Sequence, residues 1–239
     1  MVTDGASSLY VQVARAMESL ATGLQNGDVF PTERELQIRF DVSRTTIRQA
    51  TNLLVTKGVL QVRRGKGVFV RKRITQSLGD LRSFTEVLKL QGYVPGSEIL
   101  QFHTLTPNSA VLDRLGLPAG SEVLFIERVR LADGTPLNVS ASYLPMTVAR
   151  FFTREDLDAE QSLYRTIEEK TPHVIQWTED EIESRLASRR VAPLLGIKEG
   201  APVLHLRRVA YGSANLPVEY CESTCRGDKF HYVARTQRT

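Results

Sequence analysis

The segment Arg44-Thr45-Thr46-Ile47-Arg48-Gln49 follows the short turn Asp41-Val42-Ser43. Apolar spacing at Ile47, Ala50, Leu53, Leu54 and Val55 predicts a helix over residues 44–57, with Arg44, Thr45, Arg48 and Gln49 off the apolar face near its N-terminal end. A planar arginine fork suits guanine edges and phosphates, and threonine suits phosphates and thymine methyls. A second basic group, Arg63-Arg64-Gly65-Lys66-Gly67, lies between two short apolar runs. Two glycines make a tight tip there, and the cations around it can reach a flanking minor groove or phosphates. A third group is Arg128 and Arg130, two apart in an expected strand and so on one face. Side by side they repel unless an anion or a carboxylate lies between them, which makes them a clamp for phosphate or carboxylate. The alternative is a solvated strand face paired with Glu127 or Glu219. Ser83, Thr85, Ser162 and Tyr164 add hydroxyls, with helix capping and core packing as the alternative for the last two. Glu219 can accept from a sugar hydroxyl or an amine.

Other chemistries find little support. Two cysteines, Cys221 and Cys225, are too few for a disulfide framework and are expected to be structural, and four histidines show no metal-ligand spacing. No glycine-rich phosphate loop or nucleophile elbow occurs, so no cofactor, metal or catalytic residue is expected. No apolar run approaches the ~20 residues that span a bilayer, and residues 1–8 lack a signal pattern, so the expected location is cytoplasmic. Net charge is only +4, but residues 1–73 carry 12 Lys and Arg against 6 Asp and Glu, whereas residues 74–239 carry 19 against 21. A basic excess confined to the first third points to a polyanion partner there.

The elements that must position these groups follow from period and punctuation. Leu9, Val13, Met17, Leu20 and Leu24 predict a first helix, closed by a turn at Asn26-Gly27-Asp28. Pro31-Thr32-Glu33-Arg34-Glu35 opens a second, short helix with a capping box between Thr32 and Glu35. A short helix, a tight turn and a longer helix with arginines in its first turns is recognition-helix geometry for a major groove. Gly58 ends that helix, and residues 59–62 and 68–70 read as the strands of a wing. Residues 74–80 have no apolar period and read as a linker, followed by a helix over residues 81–91.

The remainder contains an internal repeat. Leu115-Gly116-Leu117, Gly120, Val123-Leu124 and Arg128-Val129 recur 80 residues later as Leu195-Gly196-Ile197, Gly200, Val203-Leu204 and Arg208-Val209. Each copy reads as strand, short helix and two-strand hairpin. Two such copies predict one antiparallel sheet with helices to one side, in an α+β fold with ligand pockets near the repeat junctions.

Residues 9–70 resemble the DNA-binding domain of the GntR family of bacterial regulators. The marks are Leu9-Tyr10, residues 31–36, Val42-Ser43-Arg44-Thr45-Thr46-Ile47-Arg48 and Gly65-Lys66-Gly67-Val68-Phe69-Val70. One departure is the segment from Gly23 to Pro31, about one residue short and without the common Pro-Gly turn. The resemblance implies a winged helix-turn-helix in which Arg34, Arg44 and Arg48 are the main DNA contacts, supported by Thr45, Thr46, Arg64, Gly65 and Lys66. Residues 78–236 resemble the UTRA effector domain of the HutC subfamily, whose fold is similar to chorismate lyase. Its marks include Ser83-Phe84-Thr85, Gly92-Tyr93-Val94-Pro95, Arg128-Val129-Arg130, Tyr143-Leu144-Pro145, Ser162-Leu163-Tyr164 and Pro217-Val218-Glu219-Tyr220.

By that resemblance the pocket is lined by Ser83, Thr85, Arg128, Arg130, Ser140, Tyr143, Ser162, Tyr164 and Glu219. Ser140 stands where sugar-phosphate-sensing members often carry glutamate, which leaves another small anion open. The expected organisation is a DNA-binding domain over residues 1–73, a linker over 74–80 and an effector-binding and dimerisation domain over 81–239. The expected function is a repressor that binds a near-palindromic operator as a homodimer and responds to a small anionic metabolite. A winged helix that contacts protein, and a lyase-like enzyme, are the alternatives.

Overall fold

The computed structural model describes residues 8–24, 27–71, 73–234 and 236. The chain divides into two compact units, Met1–Arg73 and Ile74–Thr239.

The first unit holds α1 (Leu9–Thr22), α2 (Glu33–Phe40), α3 (Arg44–Thr56) and an antiparallel hairpin of β1 (Leu60–Arg63) and β2 (Gly67–Val70). The apolar faces of the three helices meet over Val13, Met17, Leu36, Ile47, Ala50 and Leu54, and the hairpin closes that core with Leu60 and Val70. The box at the start of α2 forms: the Thr32 N–H donates to Glu35 at 2.7 Å, and the Glu35 N–H donates to the Thr32 hydroxyl at 3.3 Å. Asp41 ends α2 in the left-handed region, and Ser43 caps α3. Asn26, of the turn expected after α1, lies outside the described residues.

The second unit is built on a six-stranded antiparallel sheet in the order β4 (Pro95–Leu105), β5 (Val123–Ala132), β6 (Thr135–Pro145), β9 (Pro217–Arg226), β8 (Pro202–Tyr211), β7 (Trp177–Leu186). The repeat is visible in this order. Strands β4, β5 and β6 with α5 (Ser109–Leu115) form one copy, and β7, β8 and β9 with α9 (Val191–Leu194) form the other. The copies join where β6 pairs with β9. Gly116 and Gly196 take nearly the same left-handed φ, 63° and 62°, and Gly120 and Gly200 take 81° and 76°. These turns require glycine at equivalent places in the two copies.

Helices cover both faces of the sheet, not the one side expected. β5 is buried almost throughout, and a strand apolar on both faces needs cover on both. The repeat helices α5 and α9 pack on the face of Val123, Val129, Val139 and Val209. On the opposite face, α6 (Met146–Ala149), α7 (Arg154–Glu160) and α8 (Leu163–Lys170) pack against Leu124, Ile126, Leu144 and Ala210. There α4 (Phe84–Leu90) packs with Ala132, Cys225 and Phe230. α4 begins three residues later than expected because Ser83 caps it, its hydroxyl and N–H both donating to Glu86 at 2.8 Å.

The stretch expected as a linker begins with a strand. β3 (Ile74–Ser77) pairs in parallel with β10 (Phe230–Val233), with Ile74 and Gln76 buried. Main-chain pairing needs no apolar period, and a four-residue strand with one buried glutamine shows none.

Candidate effector pocket and nucleic-acid interface

In the first unit the exposed side of α3 carries Arg44, Thr45, Arg48 and Gln49, and Asn52 continues the same row one turn on. Glu33 of α2 pairs with Arg44 at 2.7 Å and with Arg48 at 3.6 Å. Both arginines remain 69% and 66% exposed, so this shared pair orients them without covering them. Surface ion pairs of this kind stabilise little and exchange readily for phosphate. Thr46 shares its hydroxyl with Ser43 at 2.8 Å, which holds the N-terminal turn of α3. Arg34 is exposed on α2. The tip of the wing is Arg64-Gly65-Lys66, all exposed, closed by the Lys66 N–H donating to the Arg63 carbonyl at 2.9 Å. The Arg63 guanidinium stacks on Phe69 at 4.3 Å, so it braces the hairpin.

In the second unit a cavity lies under α4 and α8, on the sheet face away from the repeat helices. Its floor alternates as strands must: Arg128 and Arg130 from β5, Asn138 and Ser140 from β6, Glu219, Cys221, Ser223 and Cys225 from β9, Leu206 and Arg208 from β8. Ser83, Phe84, Ser162 and Tyr164 form its roof, and Gln76 and Tyr232 of the β3–β10 ribbon close one end.

The electrostatics of this cavity are unbalanced. Arg128 and Arg130 are each 4% exposed. Burial holds the Arg128 guanidinium below its usual range; burial and the neighbouring Arg128 cation hold Arg130 further below. Arg130 donates to the Thr85 hydroxyl at 2.8 Å and to the Gln161 carbonyl at 3.1 Å, with its guanidinium over the Phe84 ring. Among the described residues, Nε and Nη1 of Arg128, Nε of Arg130, Oδ1 of Asn138 and Oγ of Ser140 are buried without a hydrogen-bond partner. Glu219 is buried, and desolvation pushes its carboxyl above the usual range against the pull of Ser142, Arg128, Arg208 and Tyr164. Arg208 differs from Arg128: Asp180 takes it in a two-point fork, both contacts at 2.6 Å. The thiols of Cys221 and Cys225 are pushed up by burial to about 11 and about 12, which leaves them unreactive.

The expected pocket residues divide. Ser83, Arg128, Arg130, Ser140, Ser162, Tyr164 and Glu219 meet at the cavity. Thr85 stands behind Arg130 and holds it. Tyr143 is a correction: it lies on the opposite face, between Phe125 at 5.0 Å and Tyr220 at 6.0 Å. It stands an odd number of steps along β6 from the cavity-lining Ser140 and so points to the other face. Glu127, weighed as a partner for Arg128 and Arg130, also faces away and pairs with Arg190. Ser162 does cap α8, its hydroxyl accepting from the Arg165 N–H at 3.5 Å.

Asn138, Ser223 and Arg208 were missed. A step of two from Ser140 and from Cys221 reaches the first two, and the 80-residue offset from Arg128 reaches the third. Gln76 carries no sequence signal, because residues 74–80 show no apolar period.

A winged helix-turn-helix with an exposed basic recognition surface, followed by a domain with a polar internal cavity, defines a DNA-binding transcription regulator with an effector domain. Residues 9–70 match the model of bacterial regulatory proteins of the gntR family, and residues 90–231 match the UTRA domain. The chain is 34% identical over 231 residues to the HTH-type transcriptional repressor NagR of Bacillus subtilis, covering 94% of this chain and 93% of that protein. It is 35% identical to the HTH-type transcriptional repressor PhnF of Mycolicibacterium smegmatis, over 93% of this chain and 91% of that one. The crystal structure of PhnF from Mycobacterium smegmatis superposes with a TM-score of 0.74 at 30% identity, covering 95% of this chain and all of that one. The chain therefore belongs to the gntR family of bacterial regulatory proteins, in its UTRA-bearing branch. It is a regulator of the repressor kind, not an enzyme.

Proposed function

We propose that the chain binds a near-palindromic operator as a homodimer and releases it when a small anionic metabolite enters the cavity of the second unit. The observation that carries the effector class is the buried, unpartnered Nε and Nη1 of Arg128, two residues from the equally buried Arg130. An arginine does not shed its proton at ordinary pH; the buried carboxylate of Glu219 acts on both Arg128 and Arg130, so two buried cations share one anion, and the excess charge costs several kcal/mol. An oxyanion relieves that cost and satisfies the Ser140 and Asn138 side. The cavity measures about 80 Å³, below the ~150 Å³ of an apolar hole that accepts benzene. It takes a phosphate or carboxylate group as it stands, and a larger ligand must displace a roof element such as α4. Sugar phosphates, phosphonates and carboxylic acids meet these terms.

On the DNA side, Arg34, Arg44 and Arg48 make the main contacts, with Thr45, Thr46, Arg64, Gly65 and Lys66 in support. Half-sites then lie one or more helical turns apart, as a two-fold dimer requires. The test is fluorescence anisotropy with DNA from upstream of the gene, comparing wild type with Arg44→Ala/Arg48→Ala. Binding that the double variant loses, and that one of these anions reverses, supports the reading. Operator affinity unchanged by every anion at every salt concentration removes the effector part.

A further inference from the structure

The two repeats treat their equivalent arginines differently. Arg208 is the counterpart of Arg128, 80 residues on. Each stands in the second strand of its copy and faces a residue of that copy's outer strand: Arg208 opposes Asp180 on β7, and Arg128 opposes Ile99 on β4. Directly opposed residues of an antiparallel pair share a face and touch. In the second copy the opposed side chain is a carboxylate, which forks onto Nε and Nη2 of Arg208 with both groups about nine-tenths buried. In the first copy it is aliphatic. Ile99 packs against the core beside Phe102; Glu219 of β9 acts on Arg128 and Arg208 alike through charge, but Nε and Nη1 of Arg128 have no hydrogen-bond partner among the described residues.

We infer that the residue opposite the arginine on each outer strand decides which repeat takes ligand: Asp180 closes Arg208 from within the chain, and Ile99 leaves Arg128 to be closed by an anion from solution. This rests on the effector reading above and adds its specificity position. The pseudo-twofold sheet thus holds two potential anion subsites, one filled by its own carboxylate. Ile99→Asp places in the first copy the carboxylate that the second already has, so this variant supplies its own ligand.

The probe is inorganic phosphate, exchanged for chloride at constant ionic strength and pH, with thermal unfolding of the full chain as readout. The slope of stability against the logarithm of phosphate concentration counts anions bound to the folded state. Wild type is expected to approach one per chain, Ile99→Asp to fall to zero, and the neutral isostere Ile99→Asn to keep the wild-type slope. Equal slopes for the aspartate and asparagine variants overturn the inference. Asp180→Asn is the second arm and covers the case in which Ile99→Asp does not fold. Freeing Arg208 is expected to raise the count toward two, and a count that stays at one overturns the inference. A wild-type slope of zero, or one that Arg128→Met leaves intact, instead removes the anion-pocket reading on which the inference stands.

Discussion

Arginine serves this chain in two opposite states, and substitutions separate them. Arg44 and Arg48 are exposed and share one carboxylate, so losing either costs the fold little. If Arg48 reads a base edge, Arg48→Ala costs about 1–3 kcal/mol of operator binding and relaxes preference at one base pair. Anisotropy against a panel of single-base operator variants checks this. Lys66, at the exposed wing tip, contrasts with it: Lys66→Ala is expected to weaken all sequences alike and to reduce the salt slope by about 1. Strong loss of sequence preference in that variant contradicts the wing assignment. Arg128 is the buried state. Arg128→Met removes one cation from a crowded pair but leaves the buried Glu219 with less compensation, so it is expected to lower the melting temperature while the chain still folds, keep operator binding and lose the effector response. A variant that fails to fold would assign Arg128 a structural role.

At the scale of elements, legibility followed the kind of force that holds each one. α2 and α3 announce themselves by caps and period, and Thr32→Ala is expected to cost about 1 kcal/mol in denaturant unfolding. The long strands of the repeat were legible because alternation and the 80-residue offset mark them twice. What escaped the sequence is held by neither signal. α7 buries only Leu157, so its period is faint, although the Thr153 and Asp156 capping box was there to be read. β3 and β10 are four-residue strands whose partner lies more than 150 positions away, and nothing local encodes such a pairing. The same logic divides the pocket. Arg128, Arg130 and Glu219 were legible as polar residues in buried strands, whereas Tyr143 was misplaced by a single step of alternation. The sheet also predicts a pH response. His205 on β8 is buried, and desolvation with the cations Arg185 and Arg207 holds its imidazole below 6.5, against Glu222 and Glu183. The unfolded chain therefore takes up a proton that the folded chain refuses, and stability falls as pH drops through about 6.5. His205→Asn is expected to flatten that part of the melting-temperature profile between pH 7.5 and 5.5.

The whole molecule separates its charges by task, and that separation shapes how it meets DNA. Residues 1–73 carry twice as many cations as anions, and residues 74–239 carry slightly more anions than cations. Electrostatic attraction to the duplex therefore belongs to the first unit. That unit presents one recognition helix and one wing, enough contacts for a weak, salt-sensitive encounter. High affinity then has to come from joining two such units, which makes the second binding event intramolecular and raises affinity about 10²–10⁴-fold without new contacts. The proposed dimer can be tested on this ground. The full chain is expected to bind a duplex with both half-sites at least 100-fold more tightly than one with a single half-site. Inserting about five base pairs between the half-sites, which turns one away by half a helical turn, is expected to remove most of that gain. Equal affinity for the whole and half operator, with a monomer mass by light scattering at the same concentration, would contradict a homodimer.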